Sequence, residues 1–215
     1  MSRADLTSII AIVPVSSVSE AKSRLGEPLD PEERKDLVIG LLRRTVTAAL
    51  ESRHLSGVMV VSKDEELLAK SRAIGAATLA QRGGDLNIGL SQARLAVAPE
   101  ATAVLILPAD LPMVSPAELD RLVEAADVAS LRSPAQPLVV LVPDHHRTGT
   151  NALLVSPPTA IPFRFGDGSR AAHAAEAVGA HATYEEVLGP LTFDVDTAED
   201  LLRADMSGLG HESGR

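Results

Sequence analysis

Residues 103–112 read AVLILPADLP: five consecutive apolar residues ending at a proline, then one carboxylate, Asp110, set between Pro108 and Pro112. A run this short, closed by proline and without alternation, is a strand buried on both faces. Three earlier runs repeat the pattern: SIIAIVPV (8–15), GVMVVS (57–62) and ATLAQ (77–81). They alternate with segments of helical period that begin near Pro31, Asp64 and Leu86, which predicts an α/β fold with a mostly parallel sheet between two layers of helices. The first helix is expected from Pro31 to Arg53, because Asp30 can cap it, Pro31 suits its first turn and Glu33 sits three residues after the cap.

Beyond residue 112 the order changes. Ser115 and Pro116 open what reads as a short helix, and QPLVVLVPD (136–144) and NALLVS (151–156) follow as two nearby strands, a hairpin or mixed edge. A Pro-rich loop then passes through FRFGDGS (163–169) into an Ala-rich helix. PLTFDVDT (190–197) reads as a last short strand before a helix opened by Thr197, with Asp200 three residues on. One domain over residues 1–205 is expected, with a polar, Gly-rich and disordered tail over 206–215.

The whole chain narrows the function classes. Its 215 residues carry 20 Lys plus Arg against 29 Asp plus Glu, a net charge of −9 that repels nucleic-acid phosphates. Aromatic residues are 2% of the chain, so base-stacking platforms are missing as well. The absence of cysteine excludes disulfides, thiolate catalysis and Cys-type metal sites, and fits a cytoplasmic address. No segment approaches the roughly 20 apolar residues of a membrane span. Monomer and homodimer both stay open.

Ligands of open parallel sheets gather outside the carboxyl ends of the strands, which makes Asp110 a candidate by position. The alternative is a carboxylate that only caps a turn. Asp194 and Asp196 in FDVDT would share one face of an extended segment, and two neighbouring acids call for a cation; without Cys or a nearby His, hard Mg²⁺ is favoured over zinc. The plainer interpretation is an exposed strand with a helix-start acid. Lys22 and Arg24, after the first strand, could meet a polyphosphate or be solvated surface charges; neither of the common glycine-rich phosphate loops is present. Thr148 to Asn151 lead into a strand, while Gly166, Gly168 and Ser169 lead into a helix whose exposed N–H groups could hold an anion, or simply form a turn with Ser169 as cap. His145 and His146, taken as adjacent on a strand, point to opposite faces and read as surface residues, and His173 could face substrate or water.

Taken together, AKSRL, LNIGLSQA, PADLP, TGTNALL, RFGDGSRAAH and FDVDTAEDL, in that order from about Ile9 to Leu202, resemble the guanylyltransferases of deazaflavin coenzyme (coenzyme F420) biosynthesis. Those enzymes join GMP to 2-phospho-L-lactate or phosphoenolpyruvate. The resemblance implies a nucleotide-diphospho-sugar-transferase-like (GT-A-like) fold and a Mg²⁺-dependent transfer from GTP to a small phosphorylated carboxylic acid, with phosphoenolpyruvate favoured over 2-phospho-L-lactate or a phosphoglycerate. It implies Asp110, Asp194 and Asp196 as Mg²⁺ ligands, and Thr150, Gly166 and Ser169 as contacts of the acid. It also implies Lys22 and Arg24 on the GTP phosphates and Asn87 at the nucleotide pocket. The family usually has a basic residue where this chain has Ser16, a charge that Lys22, Arg24 or Arg43 would have to replace. Guanylyl- and cytidylyltransferases of molybdenum-cofactor and isoprenoid pathways share PADLP but open with a Gly-Gly loop that VPVSSVSEAKSRL lacks. A non-catalytic nucleotide-binding module is the rival of another class.

Overall fold

In a computed structural model of the chain, which describes residues 5–16 and 30–194, the apolar runs become strands of one seven-stranded sheet. Strands β1 (Ile9–Pro14), β2 (Leu55–Ser62), β3 (Ala77–Ala80) and β4 (Ala103–Ile106) come first, followed by β5 (Leu138–Pro143), β6 (Thr150–Ser156) and β7 (Thr183–Glu186). Their order across the sheet is β3-β2-β1-β4-β6-β5-β7. Strands β1 to β4 pair in parallel, as does β5 with β7. Only β6 runs the other way, antiparallel to both β4 and β5.

The helices are α1 (Pro31–Glu51), α2 (Glu65–Ala73), α3 (Leu86–Val97), α4 (Pro116–Ser130) and α5 (Ser169–Gly179). Their starts are set locally. The Asp30 carboxylate accepts the N–H groups of Glu32 and Glu33 while Glu33 reaches back to the Asp30 amide. Asp64, Asp85 and Ser115 cap α2, α3 and α4 through side-chain oxygens that accept first-turn N–H groups, without the return bond.

Strand alternation divides the core into two layers. Ile9, Ala11 and Val13 of β1, with Leu138, Val140 and Val142 of β5, face α1, α2 and α4 residues such as Leu42, Leu67 and Leu119. Ile12, Val139 and Leu141 face the other way, onto Leu90 and Ala93 of α3 and Ala177 of α5. Full burial of β4 and β5 explains their unbroken apolar sequence, and that of β6 its apolar centre, Ala152 to Val155. The three-layer α/β architecture is the one read from the sequence.

Three expectations change. The helix after Ser115 is 15 residues, not short. The antiparallel pair β5–β6 forms, but β6 is inserted inside the sheet rather than at an edge. The strand expected across PLTFDVDT is replaced, in its described part, by a 3₁₀ turn at Pro190–Thr192, where Pro190 begins the turn and removes a ladder donor. The last strand is instead β7, TYEE, whose half-buried edge position tolerates two glutamates that hide it from an apolar pattern. Thr197 and the tail 206–215 lie outside the described residues.

One buried carboxylate ties α4 to the end of α1. Asp120 is 5% exposed and accepts from Ser52 Oγ at 2.7 Å and from the Arg53 N–H at 3.0 Å. Its bond with Arg53 Nε, 2.8 Å, involves a mostly exposed guanidinium and adds little. Asp120→Ala should lower stability by about 1–3 kcal/mol, because Ser52 Oγ and the Arg53 N–H lose their acceptor. Urea unfolding should show the lower midpoint, with Asp120→Asn, which keeps one acceptor oxygen, between the two.

Candidate functional site

Parallel pairing sends the carboxyl ends of β1 and β4 to one edge of the sheet, where Ile9 to Ile12 run alongside Ala103 to Ile106. The reversal of β6 brings its first residue to that same edge: Leu153 pairs with Ile106, and Thr150 pairs with Pro143 at the end of β5. A cavity of ≈ 780 Å³ opens there, within the roughly 300–1,000 Å³ of small-ligand pockets. It gathers Asp110, Asn87, Thr150, Gly166, Ser169 and Asp194, six positions singled out in the sequence, together with Ser16. Lys22, Arg24 and Asp196 lie outside the described residues. Arg43 is on an exposed face of α1 and is not among the lining residues.

Asp110 sits half-buried in the turn that follows β4. Asp194, 8% exposed, is delivered by the 3₁₀ turn before it, which Asn151 of β6 fixes through a 3.1 Å bond from its amide to the Leu191 carbonyl. Asp194 Oδ1 lies 3.1 Å from His145 Nδ1. His145 is exposed, as the sequence suggested, but it stands in the turn after β5, not on a strand, with its ring 3.8 Å from that of His146.

The loop joining β5 to β6 is held by Asp144, a cleft residue the sequence analysis passed over. Its Oδ1 accepts the Thr148 N–H at 2.7 Å and its Oδ2 the Thr148 hydroxyl at 3.2 Å. Partial burial pushes the Asp144 carboxyl upward, but the N–H groups of Gly149 and Thr148 outweigh it and hold the group below the usual carboxylate range. Arg170 extends the brace, with a two-pronged pair to Glu186 of β7 at 2.9 and 3.0 Å and a 3.2 Å bond to the Arg147 carbonyl.

On the far wall, residues 165–169 turn into α5 through Gly166 and Gly168, whose φ values of 127° and 69° are strained for any other residue. Gly168, not Ser169, is the cap of α5. Two of the N–H groups expected to be available for an anion are committed: Ser169 donates to the Gly166 carbonyl at 3.0 Å and Arg170 to that of Thr148 at 3.2 Å. Asn87, at the start of α3, spends its amide on this loop, donating to the Phe165 carbonyl at 2.9 Å and accepting the Phe165 N–H at 2.8 Å. The α3 entry is itself tied down by Gln81, whose amide donates to the carbonyls of Gly83, Gly84 and Asp85. Gly89 makes that possible, since a Cβ there would stand 2.4 Å from the Gln81 side-chain oxygen.

His173 does not face water or the cavity. It is fully buried, accepts the Arg164 N–H on Nε2 at 2.9 Å, and has Nδ1 3.1 Å from the Thr150 hydroxyl. Burial lowers its pKa from 6.5 to about 4, with Glu176 opposing and Arg164 adding to the shift.

Five carboxylates line the cavity, Asp85, Asp110, Asp144, Asp167 and Asp194, and no Lys or Arg among the described residues does. A site of this sign attracts cations, and the carboxylate oxygens that line it suit a hard divalent ion; the expectation that no His stands near these acids is corrected by His145, which touches Asp194. No group of three metal-ligating side chains is formed among the described residues. A full ligand set would need water or an acid beyond them, and Mg²⁺ characteristically retains several waters. No helix among the described residues is long and apolar enough to cross a membrane.

Together the sheet order and the cleft define the nucleotidyltransferase-like class of α/β proteins. A Desulfovibrio desulfuricans G20 protein assigned as a nucleotide-diphospho-sugar transferase superposes with a TM-score of 0.71, covering 99% of this chain and 90% of that one at 16% identity. A family model described as "Guanylyl transferase CofC like" matches residues 9–214, and the chain belongs to that family. The phosphoenolpyruvate guanylyltransferase of Rubrobacter xylanophilus is 43% identical over 203 residues, 94% of this chain and 95% of the relative. The 2-phospho-L-lactate guanylyltransferase of Methanothermobacter thermautotrophicus is 37% identical over 204 residues, 93% and 85% of the two chains.

The buried imidazole makes stability depend on pH. Unfolded His173 takes a proton below about pH 6.5, whereas the folded site refuses it until about pH 4. Its contribution is thus lost progressively between those values as pH falls, up to about 3 kcal/mol. Urea unfolding across that interval should show this loss in the wild-type chain, and His173→Asn should lack that component of the slope.

Proposed function

We propose that the chain transfers GMP from GTP to a small phosphorylated carboxylic acid, phosphoenolpyruvate in the first place, with release of pyrophosphate. The observation that carries this reading is the cleft at the carboxyl ends of β1 and β4, whose lining brings Ser16 and Asn87, expected beside a nucleotide, together with Thr150, Gly166 and Ser169, expected beside the acid. Membership of the guanylyl transferase family supports the nucleotide, and the name of the Rubrobacter relative supports the acceptor. The Methanothermobacter relative favours 2-phospho-L-lactate as the second reading.

In the proposed reaction an oxygen of the acceptor phosphate attacks the α-phosphorus of GTP, the bond from that phosphorus to the bridging oxygen breaks, and pyrophosphate leaves with the electron pair. The acceptor phosphate is already ionised near neutrality, so no side chain has to remove a proton. The chain's work is alignment and charge neutralisation. Thr150 and Ser169 would orient the acceptor through their hydroxyls, with the backbone at Gly166 fixing the turn. Lys22 and Arg24, beyond the described residues, would meet the triphosphate. Asp110 and Asp194, with Asp196, would hold Mg²⁺, which when bound supplies positive charge to the phosphates in an otherwise acidic cleft.

The deciding experiment is pyrophosphate release from GTP and Mg²⁺ with phosphoenolpyruvate, 2-phospho-L-lactate and a phosphoglycerate in parallel, the product being identified by mass spectrometry. Release with phosphoenolpyruvate is expected; release with none of the three overturns the reaction. Asp110→Asn should lower kcat by about a hundredfold or more with unchanged circular dichroism, and a near-normal rate would remove it from the metal site. Ser169→Ala should raise the KM for the acceptor and leave that for GTP near wild type; the reverse pattern would exchange the two substrate assignments.

A further inference from the structure

His173 and Thr150 form a buried pair whose proton positions follow from one bond. The Arg164 backbone N–H can only donate, so Nε2 of His173, 2.9 Å away, is the acceptor and carries no proton. A fully buried imidazole in this setting is neutral near pH 7. Its one proton is then on Nδ1, and it points to the Thr150 hydroxyl at 3.1 Å. Once that oxygen accepts from His173, its own proton must turn elsewhere. His173 is the only side-chain partner of that hydroxyl among the described residues, and Thr150 lines the cleft.

We infer that His173 is a positioning residue, which acts through Thr150 by donating from Nδ1 and so turning the Thr150 hydroxyl proton into the cleft as a donor to the acceptor's anionic oxygen. Without this bond the hydroxyl could rotate and present a lone pair to the same anion, which would repel it. The same ring fixes the opposite wall through Arg164, and Phe165 packs edge-on against it, 4.9 Å between ring centres, so one side chain sets both sides of the acceptor end. The inference rests on the acceptor assignment proposed above.

Two measurements test it. Long-range nitrogen–proton NMR correlations of histidine-labelled full-length chain, without any substrate, should show the His173 proton on Nδ1 and a bare Nε2, with His173→Asn identifying the signal. A proton on Nε2 overturns the inference whatever the reaction. In the second, His173→Met leaves a weak sulfur acceptor and no donor to Thr150. His173→Met and Thr150→Val should each raise the acceptor KM by about tenfold or more and leave the GTP KM near wild type. The double variant should be no worse than Thr150→Val, because both act through one hydroxyl. Multiplying effects, or a wild-type acceptor KM in His173→Met, would reduce His173 to a packing residue and overturn the inference. Failure of the reaction itself has a different signature, namely no pyrophosphate release with any acceptor while the Nδ1 proton is in place.

Discussion

The reversal of β6 is the constraint on which the rest of the molecule depends. Among parallel strands alone, residues that open a strand and residues that follow one lie at opposite edges of the sheet. Because β6 enters between β4 and β5 in the opposite sense, Thr150 at its start meets the carboxyl edge beyond which Asp110 stands. The hairpin with β5 costs little entropy, since a short loop closes it. Burial of all seven β6 residues then makes the insertion stable. Asn151, next along the strand, reaches the Leu191 carbonyl and thereby controls where Asp194 arrives.

Electrostatics follows from the same assembly. Each acid of the cleft comes from a different connection, and none is neutralised by a described cleft-lining Lys or Arg. A chain with net charge −9 that also concentrates carboxylates in one cavity would repel a triphosphate unless cations come with it. Under the proposed reaction this lining calls for a nucleotide accompanied by a metal ion, and for the cations that the sequence offers after β1.

Much of this could be read from the chain because strand burial and helix capping are local. AVLIL, VVLV and the ALLV of β6 are apolar throughout because both faces are covered, and Asp30, Asp64 and Ser115 announce helix starts through bonds spanning only three residues. What stayed hidden depends on partners distant in sequence. TYEE carries no apolar signal, because β7 is an edge strand whose Glu186 is matched by Arg170. His145 is a surface residue, as read, but its contact with Asp194, 49 positions away, could not be seen from spacing. Asn87 was legible as part of the pocket wall, yet its bonds to Phe165, 78 positions on, could not be inferred from spacing.

Those distant bonds explain why a glycine-rich turn can serve as a wall. Gly166 and Gly168 adopt positive φ, a conformation that gives the backbone freedom as well as shape. The turn is held from outside: two consecutive N–H groups just before it, those of Arg164 and Phe165, are taken by side chains from two different helices, His173 of α5 and Asn87 of α3. Donation to neutral acceptors in a buried setting fixes direction without adding charge, so this turn gains rigidity from neutral side chains. On the other side of the cleft Asp144 supplies both, since the carboxylate that braces the β5–β6 loop also adds to the acidic lining, and a substitution there would disturb shape and charge together.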